Sequence, residues 1–278
     1  MLEDARKTGL VKISVGDPAE LDAALAISVT DALKIRHTVV VGRSRHLGLE
    51  PSLDGIAAAL AAYLHETIEE GDSVGFTWSR AIELMVPHLT ELRPCNVVQL
   101  AGALTFTGDR MGSVEVIRHV AKTAHGTAYP IYAPIFVDNP KTRSILEQQP
   151  EIASCLKKID HLDHAVVSVG TWSEDGSALY SMVPPELASK VASSGAVGEI
   201  SGRVFDRSGH LVSEQFDERV LGISAQQLRS VPHIVATSYG SHRAEATIAA
   251  ARAGYLHTLI IDAPLAHAIL AALGRPDA

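Results

Sequence analysis

Residues 233–262 read HIVATSYGSHRAEATIAAARAGYLHTLIID, and this stretch decides the fold class. Two apolar runs, His233–Thr237 and Thr258–Ile261, flank a helix-forming segment, Arg243–Ala253. Strand, loop, helix and strand in this order are typical of a parallel sheet wrapped by helices. Ligands bind at the carboxyl ends of such strands, so the loop Ser238–Ser241 is expected to face a ligand. The sequence therefore predicts an α/β protein with a binding site at one edge of its sheet.

The composition excludes several classes of protein. The chain has 278 residues and a formal net charge of −8, so no general attraction to nucleic-acid phosphates is expected. Cys95 and Cys155 have neither metal-ligand nor disulfide-framework spacing, which suits a reducing cytoplasm. No apolar run approaches the roughly 20 residues that span a bilayer. The start, MLEDARKTGL, has acids early and no long apolar core, so it does not resemble a signal peptide. We therefore expect a cytoplasmic protein without a membrane anchor.

The rest of the chain alternates strands with helices. Further strands are predicted at Leu10–Val15, His37–Val41, Ser73–Phe76, Asn96–Leu100, Ala128–Tyr132 and Ala165–Val169. One helix is predicted from an N-cap at Asp17 to about Ile35, because proline follows the aspartate. A second is predicted from Pro51 to near Gly71, and residues 140–160 are also predicted to be helical.

One segment departs from this alternation. Ile200–Phe205 and His210–Val212 flank Asp206–Gly209, which predicts an antiparallel hairpin that turns at those four residues. We see no linker elsewhere. The prediction is one α/β domain, residues 10–278, with a mostly parallel sheet flanked by helices and a small antiparallel hairpin insertion.

The first candidate site is the loop Gly75-Phe76-Thr77-Trp78-Ser79-Arg80, where a strand ends and a helix begins. Free amides at a helix start attract anions, Thr77 and Ser79 add hydroxyl groups, and Arg80 is a possible phosphate partner. The alternative is that Ser79 only caps the helix. A second loop follows the next strand, where Gly102 permits close approach of the backbone to a ligand.

Two further candidates lie near the predicted hairpin. Gly170 follows a buried strand and is either a plain turn or the floor of a pocket. Glu199 precedes the hairpin and either accepts hydrogen bonds from sugar hydroxyls or is a solvated residue at a strand end.

The opening stretch supplies the last two candidates. Arg243 begins a helix, where a cation is unfavourable for the helix dipole, so a compensating anion is expected. That anion is either a ligand phosphate or a neighbouring acid such as Glu245. Asp262 ends a buried strand and either contacts the ligand or caps the last helix.

Catalytic and metal chemistry find less support. Asp160-His161-Leu162-Asp163-His164 groups two His with two Asp, but no further ligand cluster anchors a metal. No P-loop occurs in the chain. Gly71–Gly75 matches the letters G-x-S-x-G, but its Ser73 begins a predicted strand instead of following one, so no nucleophile elbow is expected. We expect no cofactor, no metal and no catalytic residue.

Several motifs in combination resemble one known family. The segments that carry the resemblance occur in the order Leu10–Ile13, Gly75–Trp78, Val98–Gly102, Glu199–Gly209 and residues 219–270. Together they resemble the effector-binding, or sugar-binding, domain of SorC/DeoR-type bacterial transcriptional regulators. The resemblance extends from about residue 9 to about residue 272.

The resemblance implies a Rossmann-like fold, similar to ribose-5-phosphate isomerase and glucosamine-6-phosphate deaminase, that binds a phosphorylated sugar at its strand ends. It implies a pocket formed by Thr77, Trp78, Ser79, Gln99, Gly102, Glu199 and Arg243. We add Gly75, Gly170 and Asp262 to the candidate set from their positions alone. The family commonly has lysine at position 243, and a second glycine where this chain has Ala103. A guanidinium binds phosphate but forms no Schiff base.

The resemblance also implies partners. In that family a helix-turn-helix module precedes the domain, and the domains oligomerise. We expect residues 1–9 to be the remnant of the helix that follows such a module, and a homo-oligomer, either dimer or tetramer. Operator DNA would then be bound only through that module. The alternative function is a phosphosugar isomerase or deaminase, whose base would be an acid such as Glu199 or Asp262.

Overall fold

A computed structural model describes residues 21–42, 53–106, 108 and 110–275 of the chain. The strands are β1 (His37–Val41), β2 (Ser73–Phe76), β3 (Asn96–Gln99), β4 (Ala128–Tyr129), β5 (His164–Ser168), β6 (Gly170–Thr171), β7 (Gly198–Ile200), β8 (Arg203–Phe205), β9 (His233–Thr237) and β10 (Thr258–Asp262). The α-helices are α1 (Ala23–Leu33), α2 (Leu53–Thr67), α3 (Arg80–Met85), α4 (Ser113–Thr123), α5 (Pro140–Glu147), α6 (Pro150–Ile159), α7 (Pro185–Ser193), α8 (Glu214–Asp217), α9 (Ala225–Ser230), α10 (Ala244–Arg252) and α11 (Ala263–Ala272). Short 3₁₀ helices occupy Val86–His88, Tyr180–Met182 and Ser241–Arg243. The predictions for residues 1–9, Leu10–Val15, Asp17 and Pro51 lie outside the described residues.

Among the described residues, seven strands form one parallel sheet in the order β1-β10-β9-β5-β2-β3-β4, as the alternating pattern predicts. The direction of strand addition reverses between β2 and β5. From β2 the chain proceeds to β3 and β4 on one side, and from β5 to β9 and β10 on the other. Phe76 at the end of β2 pairs with Val166 of β5 and with Gln99 of β3. The crevice beyond this reversal is where open parallel sheets bind ligands.

Helices cover both faces of the sheet. Ala165 and Val167 of β5 pack with residues of α1, α6, α10 and α11, whereas Val166 packs with α2, α3 and α4. Successive side chains of a strand point to opposite faces, so this alternation buries both sides. Burial of both faces explains why the strands are continuous apolar runs rather than alternating ones.

A second, antiparallel sheet contains β6, β7 and β8. The predicted turn at Asp206–Gly209 is confirmed, but the segment Ile200–Phe205 before it is not one continuous strand. Ser201 and Gly202 join β7 to β8, with φ values of +54° and +84°. Two positive φ values give the tight two-residue turn whose twist matches the strands. Asp206–Gly209 forms a second turn, after which Leu211 pairs back to Phe205.

Two helix predictions need correction. The start of α1 lies later than predicted, because Asp22 accepts the capping hydrogen bond from the Leu25 amide at 2.9 Å. Leu21 pairs with Val41 in an antiparallel bridge and is therefore not helical. Residues 140–160 are helical but contain two helices. Pro150 keeps the preceding residue out of the helical conformation, so α5 cannot continue into α6.

Candidate functional site

A cavity of about 530 Å³ lies at the carboxyl ends of β2, β3 and β5. Its size suits a small molecule, for which pockets of roughly 300–1,000 Å³ are usual. The predicted site residues that line it are Thr77, Trp78, Ser79, Gly102, Gly170, Glu199 and Arg243. The structure brings these together although they come from five separate parts of the chain. Gly75, Gln99 and Asp262 do not line the cavity.

The loop after β2 forms one wall of the cavity. The Thr77 amide donates to the Val166 carbonyl at 3.0 Å, which continues the pairing of β2 with β5. Ser79 Oγ accepts a hydrogen bond from the Ile82 amide at 3.1 Å and so caps α3. The capping interpretation of Ser79 is therefore confirmed. The Ser79 hydroxyl keeps its proton for a second partner, because a hydroxyl both accepts and donates.

Two arginines at the rim share one buried carboxylate. Glu83 is 5% exposed, and its Oε2 lies 2.9 Å from Arg80 Nη1 and 3.4 Å from Arg110 Nη2. Its Oε1 also accepts the Met111 amide at 3.1 Å. Arg80, a candidate phosphate partner, is thus already ion-paired. An anion that binds Arg80 or Arg110 would have to compete with Glu83.

Trp78 ties this wall to the connection that follows β3. Its indole Nε1 donates to the Met111 carbonyl at 2.8 Å, and its ring lies 4.2 Å from the Phe106 ring. The Arg110 guanidinium lies over both rings, 5.0 Å from Trp78 and 4.4 Å from Phe106. These contacts build a cluster of two tilted aromatic rings and a guanidinium on the cavity wall.

Gly102 lines the cavity, but its lack of a side chain serves the protein's own packing. A Cβ at this position would lie 2.5 Å from the Ile135 backbone. The Gly102 amide also donates to the Leu221 carbonyl at 2.9 Å. Close approach between two protein segments therefore explains the glycine. Gly170 is similar, since a Cβ there would lie 2.5 Å from the Gly176 carbonyl oxygen.

Arg243 is a buried cation without a counter-ion among the described residues. It is 6% exposed, its guanidinium lies 3.9 Å from the Tyr239 ring, and Nη1 donates to the Tyr239 carbonyl at 2.6 Å. Within the described ranges, no carboxylate pairs with it, and its buried Nε has no hydrogen-bond partner. Glu245 pairs with Arg207 instead, so Glu245 as the counter-ion of Arg243 is wrong.

Asp262 positions the loop that carries Arg243. Its carboxylate accepts the Leu265 amide at 3.1 Å, which confirms that it caps α11. Both of its oxygens also accept from the Gly240 amide, at 3.0 and 3.1 Å. Gly240 has a φ of +81°, which favours glycine and turns the chain into the 3₁₀ helix that ends at Arg243. Asp262 therefore acts through the backbone rather than from the cavity wall.

Glu199 supplies a carboxylate on the wall formed by the small sheet. Oε2 accepts from Ser177 Oγ at 2.9 Å, and Oε1 accepts from the Gly202 amide at 2.8 Å. Burial raises the pKa of this carboxyl, and the two hydrogen bonds oppose that shift in part. Each oxygen retains acceptor capacity for a further donor.

A buried arginine holds the hairpin that carries Glu199. Arg203 has no exposed surface, and its Nη1 lies 2.8 Å from Asp217 Oδ1. Its Nε donates to the Ile223 carbonyl at 2.7 Å, and Nη2 donates to the carbonyls of Val220 and Gly222. Burial lowers the pKa of Arg203, because it disfavours the charged guanidinium. These acceptors and the Asp217 carboxylate compensate for the lost water and keep the buried charge stable. They fix the orientation of the hairpin beside the cavity.

Gly75 and Gln99 have structural contacts away from the cavity. A Cβ on Gly75 would lie 2.4 Å from the Leu100 side chain, so the glycine permits β2 and β3 to pack. Gln99 is buried, and its Nε2 donates to the Ala101 carbonyl at 2.7 Å while its Oε1 accepts the Ile131 amide at 3.1 Å. The Gln99 side chain thus joins β3 to the segment that follows β4.

The cavity also contains residues that the sequence did not single out. Among them are Phe106, Arg110, Glu174, Asp175, Ser177 and Ser201. Ser201 had a weak signal, because a Ser-Gly dipeptide commonly marks a turn. Arg110 and Ser177 lie on long connections whose paths no local pattern specifies.

Other kinds of site find no support in the described part of the chain. Over residues 21–42, 53–106, 108 and 110–275, no group of three or more His, Cys, Asp or Glu side chains could hold a metal ion. His164 pairs with Asp72 at 3.2 Å and stacks on His233, at the amino ends of the strands. Nor does any helix in these ranges have the length and apolar character to cross a membrane.

Comparison with known proteins decides the family. A family model described as "Putative sugar-binding domain" matches residues 17–271. The chain belongs to this sugar-binding domain family. The resemblance to SorC/DeoR-type regulators is thereby confirmed.

Individual relatives agree with the family. The uncharacterized transcriptional regulator YjhU of Escherichia coli K12 is 28% identical over 279 residues, which cover 97% of this chain and 84% of the relative. The deoxyribonucleoside regulator of Bacillus subtilis is 26% identical over 274 residues, covering 97% of this chain and 87% of the relative. The crystal structure of the full-length sorbitol operon regulator SorC from Klebsiella pneumoniae superposes with a TM-score of 0.81 at 21% identity. It covers 97% of this chain and 87% of that one. The domain is therefore a sugar-binding domain of the kind found in transcriptional regulators.

Proposed function

We propose that the cavity binds a phosphorylated sugar and that occupancy changes how the protein controls transcription. The observation that carries the proposal is Arg243. A buried guanidinium without a counter-ion is costly, and a phosphate supplies both the charge and acceptors in matching geometry. Within the described ranges, Nη1 alone has an acceptor, the Tyr239 carbonyl, so Nε and Nη2 remain for the ligand.

The sugar moiety would lie toward Glu199. A carboxylate on a cavity wall repels phosphate but accepts hydrogen bonds from sugar hydroxyls. Ser177, hydrogen-bonded to Glu199, adds a second polar group at the same wall. Trp78 offers a flat apolar surface between polar groups, as ligand sites commonly do. The ligand is thus oriented with its phosphate at Arg243 and its hydroxyls at Glu199.

A sensor explains the site better than an enzyme does. An isomerase or deaminase needs a base within hydrogen-bond reach of the substrate. Asp262 is engaged by Gly240 and Leu265 and does not line the cavity. Glu199 is held by Ser177 and Gly202, as suits an acceptor fixed in place. The relatives are named as regulators rather than enzymes.

Control of transcription requires a second state and a DNA-binding module. We propose that residues 10–278 form the effector domain, that residues 1–9 follow a helix-turn-helix module, and that the protein acts on operator DNA in the cytoplasm. Ligand binding would shift a homo-oligomer, dimer or tetramer, between two arrangements for which the ligand has different affinity. Ile27 and Ile145, 64% and 53% exposed, are apolar side chains available for subunit contacts.

A thermal-shift screen over pentose and hexose phosphates and the matching free sugars tests the proposal. A ligand at a hundredfold excess over its Kd stabilises the folded state by about 2.7 kcal/mol, which raises Tm measurably. We expect at least one sugar phosphate to raise Tm and its free sugar to raise it less. If no sugar phosphate does so, the phosphosugar proposal fails. NMR of the hit with the protein must show no turnover, since conversion of the sugar would establish the enzyme alternative.

A further inference from the structure

Ser201 occupies an unusual position on the cavity wall. It is the first residue of the two-residue turn between β7 and β8, and its φ is +54°. Left-handed backbone is unfavourable for residues other than glycine, asparagine and aspartate. Glycine or asparagine would form this turn with less strain. Gly202, the second turn residue, already follows that preference.

The Ser201 side chain adds a second cost. The residue is 4% exposed, and within the described ranges its Oγ has no hydrogen-bond partner. A buried hydroxyl without a partner loses its bonds to water and gains none in return. Backbone strain and an unpaired hydroxyl therefore meet at one residue of the candidate site. Strain of this kind is concentrated at functional sites, where the surrounding structure enforces it.

The buried polar atoms without partners are concentrated at the cavity. Over the described ranges they are Ser201 Oγ, Arg243 Nε and His164 Nδ1. Ser201 and Arg243 line the same cavity, whereas His164 lies at the amino end of β5, the opposite end of the strand. A molecule in the cavity could supply partners for the first two atoms together.

We propose that Ser201 is a specificity-determining residue that hydrogen-bonds a hydroxyl or carbonyl oxygen of the sugar moiety. The inference rests on the proposed function and deepens it. Ser201 lies two residues from Glu199, and the Glu199 carboxylate accepts the amide of Gly202 in the same turn. A carboxylate next to the turn disfavours phosphate there, so Ser201 contacts the part of the ligand remote from Arg243. Ser201 lines the cavity together with Glu199.

The test compares Ser201→Ala and Ser201→Gly with the native chain. The ligands are inorganic phosphate and the sugar phosphate that raises Tm most in a pentose and hexose phosphate panel. We expect the ligand-free Tm of Ser201→Ala to equal or exceed the native value, because the unpaired hydroxyl is removed. Ser201→Gly should be higher still, because the strain is relieved as well. Affinity for the sugar phosphate should fall about tenfold in both, the effect of one hydrogen bond, while the Kd for inorganic phosphate stays unchanged.

Other outcomes overturn the inference. A lower Tm of Ser201→Ala together with native affinity would show that the hydroxyl serves the fold. Equal weakening of inorganic phosphate and sugar phosphate would show that Ser201 acts on the phosphate or on the whole cavity. Native affinity of both variants for a sugar phosphate that binds the native chain overturns the Ser201 inference alone. If no sugar phosphate in the panel binds the native chain, the proposed function fails and the inference fails with it.

Discussion

Replacing Arg243 with methionine should separate ligand binding from stability. Methionine keeps an unbranched apolar side chain but removes the charge and all guanidinium donors. Within the described ranges, Nε and Nη2 have no protein acceptor, and our proposal assigns them to the ligand phosphate. Hydrogen bonds to charged groups contribute about 1.5–3 kcal/mol each. Loss of two such bonds should weaken the free energy of binding by at least about 3 kcal/mol, which is roughly a hundredfold rise in Kd.

The stability of the ligand-free protein should change little. The substitution loses the contact with the Tyr239 ring, worth about 0.5–2 kcal/mol. It also loses the bond to the Tyr239 carbonyl. Removing a buried charge that lacks a counter-ion offsets these losses. We therefore expect the free energy of unfolding to change by no more than about 1 kcal/mol.

Calorimetric titration of a sugar phosphate and of its unphosphorylated parent supplies the assay. Arg243→Met should weaken the sugar phosphate about a hundredfold and leave the parent sugar nearly unchanged. Arg207→Met is the matched control, because Arg207 is 76% exposed and pairs with Glu245 outside the cavity. Equal losses for both ligands would refute the assignment of the phosphate to Arg243. So would native affinity of Arg243→Met for the sugar phosphate.

Three further predictions concern other groups. Ligand entry should change tryptophan emission through Trp78, which lines the cavity; a change that persists in Trp78→Phe would contradict this. Burial raises the pKa of Cys95 to about 11 and that of Cys155 to about 12, so a thiol reagent at neutral pH should label both only after denaturation, and labelling of the folded protein would contradict their burial. Burial also raises the pKa of Glu199. The affinity for a sugar phosphate should therefore fall on acidification at a pH above the range in which carboxyl groups ordinarily titrate. In Glu199→Gln the affinity should depend less on pH. The folded-state pKa lies above the unfolded one, so ionisation of Glu199 lowers stability as pH rises, and Glu199→Gln should be at least as stable as the native chain at neutral pH.

Much of the fold was predictable because its strands carry a strong local signal. Val166 and Val235 lie within runs of buried apolar residues that only a sheet covered on both faces can accommodate. The turn at Asp206–Gly209 was predictable, because Gly209 ends a run of typical turn residues. The turn at Ser201-Gly202 was missed, because its flanking residues favour one continuous strand and the break depends on which backbone segments pack together.

Part of the candidate site was likewise predictable from the sequence, and part of it was not. Thr77, Gly170 and Arg243 follow separate parallel strands, and such strand ends meet at one edge of the sheet, so their convergence was predictable. The direction in which a side chain points at a strand end was not predictable. Gln99 turns its amide to the Ala101 carbonyl rather than to the cavity. Arg110 reaches the site only because its connection packs on Trp78, a contact between distant segments.

The most direct test of the central claim is the ratio of two dissociation constants on the native chain. One is for the sugar phosphate that binds best, and the other is for the same sugar without its phosphate. With phosphate held by Arg243 and hydroxyls by Glu199, we expect the phosphorylated form to bind about a hundredfold more tightly. We also expect inorganic phosphate to compete with it. Equal dissociation constants for the two forms would contradict the claim that this cavity recognises a phosphorylated sugar.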